Sequence, residues 1–280
     1  MSDVSKIEWT DATLNILVGC EKISPGCANC YACKEVVRMA GNPNPSVAAA
    51  NRGLAHRQPN GILNWTGVVR HVPRRLASPF AWPRPKMVFV NSLSDTFHVD
   101  VPIEFIRRAL SVMAATPWHT YQLLTKRAER LAELSPDLEW PDNVWMGVSV
   151  ESQAYASRVD YLRRTGAKVK FLSVEPLLGP LVFDLSGIDW VITGGESGPR
   201  ARRFDPAWAL SIRDQCARAG VAFFHKQNGR RNKRATGRLL YGRTYDAMPL
   251  VISQPVPPAG VRRALARKLV PEAYFDDVLS

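Results

Sequence analysis

The stretch "NVWMGVSVESQAYASRVDYLRRTGAKVKFLSVEP", residues 143–176, decides the fold. Its ends, "NVWMGVSVES" (143–152) and "VKFLSVEP" (169–176), carry apolar runs of strand length, rich in valine. Between them "QAYASRVDYLRRTG" (153–166) mixes apolar and charged residues as a helix does, and it closes on a glycine. Runs this short and this evenly apolar read as strands buried on both faces. Joined through a helix, such strands lie parallel. The rhythm recurs in "KMVFVNSLSD" (86–95), "TYQLLTKR" (120–127), "DWVITGGES" (189–197) and "VAFFHKQ" (221–227). "PIEFIRRALSVMAA" (102–115) and "PAWALSIRDQCARAG" (206–220) read as further helices, the first opened by Pro102 just inside its start, the second closed by Gly220. With two earlier strand candidates, "TLNILVG" (13–19) and "GVVRH" (67–71), the pattern predicts an α/β protein built on a (β/α) barrel, closed or partial. The alternative, a doubly wound open sheet, usually carries a G-x-G-x-x-G turn after its first strand, and none occurs. No linker divides the chain. Residues 1–228 read as the barrel domain, with a cysteine loop at 18–35, and 229–280 as a basic C-terminal extension packed on it or appended to it. "GNPNPSVAAANRGLAHRQPNG" (41–61) reads as irregular chain or a short helix.

The chain has 280 residues, 46% of them apolar, enough for a sizeable core. No apolar run reaches the ~18 residues of a membrane-crossing helix. "MSDVSKIEWTD" has no apolar stretch of a secretory signal, so the expected compartment is the cytoplasm. Structural disulfides are disfavoured there, and five cysteines do not pair off. Net charge is +12. The basic residues cluster as Arg200, Arg202 and Arg203; as Lys226, Arg230, Arg231, Lys233, Arg234 and Arg238; and as Arg262, Arg263, Arg267 and Lys268. Such clusters suit phosphates, so nucleic acid is the expected partner, bound chiefly by the first group with Lys226, Arg230, Arg231, Lys233 and Arg234.

In a barrel, chemistry gathers where the strands end and the βα loops begin. Here the strand ends carry Asn91, Ser92, Ser94 and Asp95; Thr125, Lys126 and Arg127; Ser149 and Glu151; Ser173 and Glu175; Gly194, Gly195, Glu196 and Ser197; and His225, Lys226 and Gln227. Emergence into water explains one polar strand end. Six together describe a polar pocket, with Lys126, Glu151, Glu175 and Glu196 as candidates for binding and catalysis. In "GGES", two glycines admit close backbone approach and the glutamate offers an acceptor to an ammonium or hydroxyl group.

Four of the five cysteines fall in "VGCEKISPGCANCYACKE" (18–35), spaced Cys20-x6-Cys27-x2-Cys30-x2-Cys33. Four thiolates suit zinc, but no second knuckle or histidine pair follows. A thioredoxin-type dithiol would leave two cysteines idle. An iron–sulfur cluster accounts best for the crowding. If Cys33 ligates, the cluster is closed. If Cys33 faces the core of a helix starting near Tyr31, one iron stays open. Cys216 fits a buried helix position.

The runs "KIEWTDATLNILVGCEKISPGCANCYA", "VFVNSLSDTFH", "TYQLLTKR", "VWMGVSVES", "FLSVEPLLGP", "DWVITGGESG" and "FFHKQNG" together resemble the phage-associated three-cysteine-motif family, a group related to radical S-adenosylmethionine (SAM) proteins. The resemblance covers about residues 7–229. It implies that Cys20, Cys27 and Cys30 hold a [4Fe-4S] cluster, with Cys33 an extra cysteine. It also implies that SAM chelates the open iron and yields a 5′-deoxyadenosyl radical, with an electron donor required. Cys33 would be either a hydrogen donor to a substrate radical or a bystander. SAM contacts fall to Asn91, Ser92, Ser94 and Ser149. Gly194, Gly195 and Glu196 bind SAM or substrate, since "GGES" comes later than the corresponding element of radical SAM proteins. The first cysteine gap is also wider than the usual C-x3-C-x2-C, with Asn29 before the third cysteine. The implied activity is modification or repair of nucleic acid or a nucleotide, with a three-cysteine-motif protein as a further partner. Two other classes remain open: a zinc- or cluster-stabilised nucleic-acid-binding protein, and an electron-transfer iron–sulfur protein.

Overall fold

The computed structural model describes residues 5–231, 236–252 and 254–271. The chain lays down β1 (Ala12–Thr13) and β2 (Leu17–Val18), then helices α1 (Tyr31–Ala40) and α2 (Pro45–Asn51). The hairpin β3 (Ala55–Arg57) and β4 (Leu63–Trp65), strand β5 (Arg70–His71) and the short helix α3 (Ser78–Ala81) follow. The repeat then begins with β6 (Met87–Val90), α4 (Ile103–Ala114), β7 (Thr120–Thr125), α5 (Ala128–Leu134) and β8 (Val144–Ser149). It continues with α6 (Arg158–Arg163), β9 (Val169–Val174), β10 (Trp190–Gly194), α7 (Pro206–Ala219) and β11 (Ala222–Gln227). Helix α8 (Ala259–Leu269) comes last.

Seven strands join as β1-β6-β7-β8-β9-β10-β11, every neighbouring pair parallel. The sheet curls into a half-barrel with β1 and β11 at its edges. The two early strand candidates depart from expectation. Of "TLNILVG" only the start joins the sheet, and Leu17–Val18 pairs antiparallel with Arg70–His71 instead. The cause is local: the Asn91 side-chain carbonyl accepts from the Ile16 amide at 2.9 Å, taking a donor that a longer ladder would need. A second departure lies between β9 and β10, where no helix forms. Pro176, Gly179, Pro180 and Gly187 break any helix there. Leu177, Leu181, Leu185 and Ile188 bury themselves in its place.

Alternation along the strands sorts the core into two faces. Val144, Met146 and Val148, with Leu172, Val174 and Val191, face the helices and join the large aliphatic core. Trp145, Phe171, Trp190, Ile192 and Phe224 point into the curl with Trp9 and Phe89, as an aromatic cluster. Gly147 makes room for it, since a Cβ there would stand 2.5 Å from the Phe171 ring. On the same inward face, closer to the strand ends, come Ser149 and Ser173, which line a cavity. On β8 the inward row thus runs from Trp145 to Ser149, and on β9 from Phe171 to Ser173.

The described part of the C-terminal extension belongs to this body. The Tyr245 carbonyl accepts from the His225 amide at 2.9 Å, so the segment covers the edge of β11. Ala247 accepts the Trp190 indole N–H at 2.9 Å, Met248 packs on the aromatic cluster, and α8 lies against α3 and α4. Among the described residues no helix is long and apolar enough to cross a membrane.

Candidate functional site

The cysteine loop is held over the strand ends by the strands' own carboxylates. Gly19 opens its turn just before Cys20 at φ +99°, where the Val68 carbonyl leaves no space for a Cβ. Glu151 is fully buried just after β8. Its Oε1 accepts from the Ser24 hydroxyl and from the Gly26 amide at 3.3 Å, and its Oε2 pairs with Lys126 at 3.3 Å and Arg158 at 2.9 Å. Gly26 is needed for this approach, since a Cβ would lie 2.7 Å from Oε1. Burial pushes the Glu151 carboxyl up, but Lys126, Ser24 and Arg158 outweigh it and the net shift is downward, which keeps the group ionised. Glu196 does the same from β10. It accepts from the Asn29 side-chain Nδ2 at 3.0 Å and pairs with Arg202 at 2.7 Å; burial raises its pKa, and Arg202 and Asn29 bring it below its ordinary value. Lys22 completes the anchoring through the carbonyls of Ala28 (3.1 Å) and Leu63 (2.9 Å).

Two cavities meet here. The smaller, about 120 Å³, is lined by Cys20, Cys27 and Cys30 together with Asn91, Ser92, Ser94 and Ser149. The larger, about 850 Å³, is lined by Ser149, Ser173, Glu175, Gly195, Glu196, Lys226 and Gln227, among others. Cys30, Tyr31, Phe89, Leu124, Lys126 and Ser149 belong to both and form the shared wall.

The four clustered cysteines are therefore not equivalent. Cys30 caps the start of α1. The Cys33 thiol hydrogen-bonded to it, the amides of Ala32 and Cys33 and the Lys126 charge lower its pKa to about 6, against the effect of burial. Cys20 is pushed up to about 12, by burial first and then by the Asp95 charge, with Arg127 opposing from 3.9 Å. Cys33 is 1% exposed, packs with Val18, Val36, Leu54 and Trp65, and lines neither cavity. Helical periodicity explains this: Tyr31, Glu35 and Arg38 share the face of α1 toward the large cavity, and Ala32, Cys33 and Val36 the face toward the core. Cys216 is buried in α7.

Among the described residues, no group of three or more His, Cys, Asp or Glu side chains is set to hold a single metal ion. A tetrahedral ion with sulfur at about 2.3 Å needs thiolates about 3.8 Å apart. A cluster gives each iron its own thiolate, so its cysteines stand wider. Cys20, Cys27 and Cys30, all lining one small cavity, are the thiol donors from which a cluster could be held. The Ser94 hydroxyl, buried on the same cavity without a hydrogen-bond partner among the described residues, leaves a polar group for a ligand to satisfy.

The other expected site residues divide. Asn91 spends its side chain on Ile16 and Thr96, and Ser92 on Asn15 at 3.0 Å, so both shape the wall through backbone structure. Glu175 stays on the large cavity beside Lys226 at 3.1 Å, and Gly194 lies so close under its carboxylate that a Cβ would collide with Oε1. His225 turns away, bonded to Thr193 and Asn228 and stacked on Phe204. Of the basic residues, Arg202 and Lys226 are engaged inside the site, Arg203 lies 3.8 Å from Asp205, and Arg200, Arg230 and Arg231 are exposed. Lys233 and Arg234 lie outside the described residues. Sequence reasoning missed Ser24, Asn29 and Arg158. The first two are ordinary loop residues, and Arg158 reaches the site from the start of α6, where nothing in the sequence marks it out.

Fold and site define an α/β half-barrel with a cysteine-lined cavity that shares a wall with a larger polar one. The chain belongs to the family described as "Protein of unknown function (DUF5131)", which it matches over residues 4–249, past the expected barrel boundary at 228. No curated protein and no solved structure matches it.

Proposed function

We propose that this protein is an iron–sulfur, SAM-dependent radical enzyme acting on nucleic acid or a nucleotide. One observation carries the proposal: Cys20, Cys27 and Cys30 line a small cavity that shares a wall with a large polar one, whereas Cys33, buried and hydrogen-bonded to Cys30, lines neither. That arrangement supports three ligands and an open iron rather than a closed site. When bound, the cluster would supply the electron that cleaves SAM. The chain's own residues do the rest. Cys30 is held ready as a thiolate, and Glu151 and Glu196 keep the loop over the strand ends. Glu175 and Lys226 present a paired charge to whatever fills the large cavity, and the buried rings beneath exclude water. The basic balance and the exposed Arg200, Arg230 and Arg231 support a polyanionic substrate.

Anaerobic purification with metal and sulfide analysis, followed by EPR of the reduced protein with and without SAM, tests this. The expected result is iron with inorganic sulfide, a spectrum that SAM changes, and 5′-deoxyadenosine as product. Zinc without iron would overturn it in favour of a structural metal site. An iron cluster indifferent to SAM would make the protein an electron carrier.

A further inference from the structure

The large cavity holds a polar group that the fold leaves unused. Where β11 pairs with the end of β10, the register jumps from Thr193↔His225 to Gly194↔Gln227. The irregularity lets two successive side chains, Lys226 and Gln227, line the cavity instead of facing opposite ways. Gln227 Nε2 donates to the Gly195 carbonyl at 2.8 Å, which fixes which way the amide points. Its Oε1 is therefore an acceptor, and it is buried with no partner among the described residues. On the shared wall stands Tyr31, 54% exposed, its hydroxyl tied to the Ser92 carbonyl at 3.2 Å, so the ring is a steady flat face. Exposed Lys6 lines the cavity too, as does exposed Arg38, paired along its helix with Glu35 at 2.7 Å, and Arg200 is brought alongside by the Asn29 bond to its carbonyl at 2.9 Å.

We propose that this cavity takes one nucleobase of a nucleic-acid strand. The base lies against the Tyr31 ring and donates an N–H to Gln227 Oε1, and Lys6, Arg38 and Arg200 hold the flanking phosphates. The proposal rests on the nucleic-acid reading above and sharpens it. A polymer fits better than a free nucleotide because exposed positive charge continues past the cavity to Arg230 and Arg231, the former bridged to Ser197 on the cavity wall. A planar ring with a pairing edge matches one stacking face and one fixed acceptor.

Every natural base has an N–H on its pairing edge, and unsubstituted purine has none. The test is fluorescence anisotropy with two short single-stranded oligomers of equal length, one of deoxyadenosine and one of 2′-deoxynebularine. The nebularine oligomer should bind at least about tenfold more weakly, because it leaves Gln227 Oε1 unpaired. Gln227→Leu should erase that preference, and Tyr31→Ala should weaken both oligomers about tenfold. Equal binding of the two oligomers by the unmodified protein overturns the proposal and leaves the nucleic-acid reading standing. A preference that survives in Gln227→Leu removes Gln227 from it. Failure of both oligomers to bind overturns the nucleic-acid reading itself. The oligomer comparison needs no variant, so it stands even if Gln227→Leu does not fold.

Discussion

The two ends of the half-barrel are built on opposite principles. At the amino end, Trp145, Phe171, Trp190 and Phe224 fill the curl with edge-to-face and tilted rings, Trp190 lying 5.9 Å from Trp145 and 6.0 Å from Phe224, and Met248 packs against them. At the carboxyl end the same strands deliver Glu151, Glu175 and Glu196, each paired with a cation, and two of the three are spent on holding the cysteine loop. Trp145 and Ser149 lie on one face of one strand, four residues apart. Burial stabilises the first end, whereas the second keeps ionised groups only because each has partners that offset the loss of water. Stability and chemistry are therefore separable by mutation.

The largest effect should fall on the carboxyl end. Cys20→Ser, Cys27→Ser and Cys30→Ser should each lose nearly all reconstituted iron with little change in denaturation midpoint, and Cys33→Ser should keep its iron per folded molecule while losing about 1–3 kcal/mol, because it puts a hydroxyl into the apolar core. Iron loss in Cys33→Ser would place it among the ligands and close the site. At the other end, Trp190→Ala should cost about 3–5 kcal/mol in chemical denaturation while iron per folded molecule stays constant. Glu151→Ala links the two ends. It leaves buried Arg158 and half-buried Lys126 without their carboxylate, which should cost about 3 kcal/mol, and it frees the loop, so iron content should fall too. Unchanged iron content would mean that Glu196 and Lys22 suffice to hold the loop.

Acid offers a milder way to break the comparison. Burial, with Lys86 and Arg262 nearby, lowers the His119 pKa to about 4; burial, with Arg238, does the same to His225. Both are neutral in the folded state, so their contribution is complete above the ordinary pKa of 6.5 and is lost as pH falls toward 4. Each should cost up to about 1.4 kcal/mol per pH unit across that window, read as a falling denaturation midpoint. His225→Gln should flatten part of the slope. Glu151, whose folded pKa is depressed, should stabilise the loop at neutral pH and lose that contribution only at more acid pH. The smallest change belongs to exposed Arg231. Arg231→Ala should leave stability within about 0.5 kcal/mol and lower the salt slope of nucleic-acid binding by about one.

Much of this was legible before any coordinates. The β-α-β rhythm of 143–176 placed the parallel sheet, because alternation of short apolar runs with amphipathic ones has few other solutions. The polar strand ends were legible for the same reason, and periodicity in α1 would have turned Cys33 inward. The helixless β9–β10 link was half-visible in its prolines and glycines. The diversion of Leu17–Val18 was not, since it depends on Asn91, far away in sequence, taking one amide. Composition and local period thus determined the architecture, the position of the rim and the identity of the cysteine loop. Tertiary structure decided which rim groups remain free. Ser24, Asn29 and Arg158 converge on their carboxylates only when separate segments meet, and partnership of that kind leaves no trace in local sequence. The same meeting leaves Gln227 with an acceptor that no described residue satisfies.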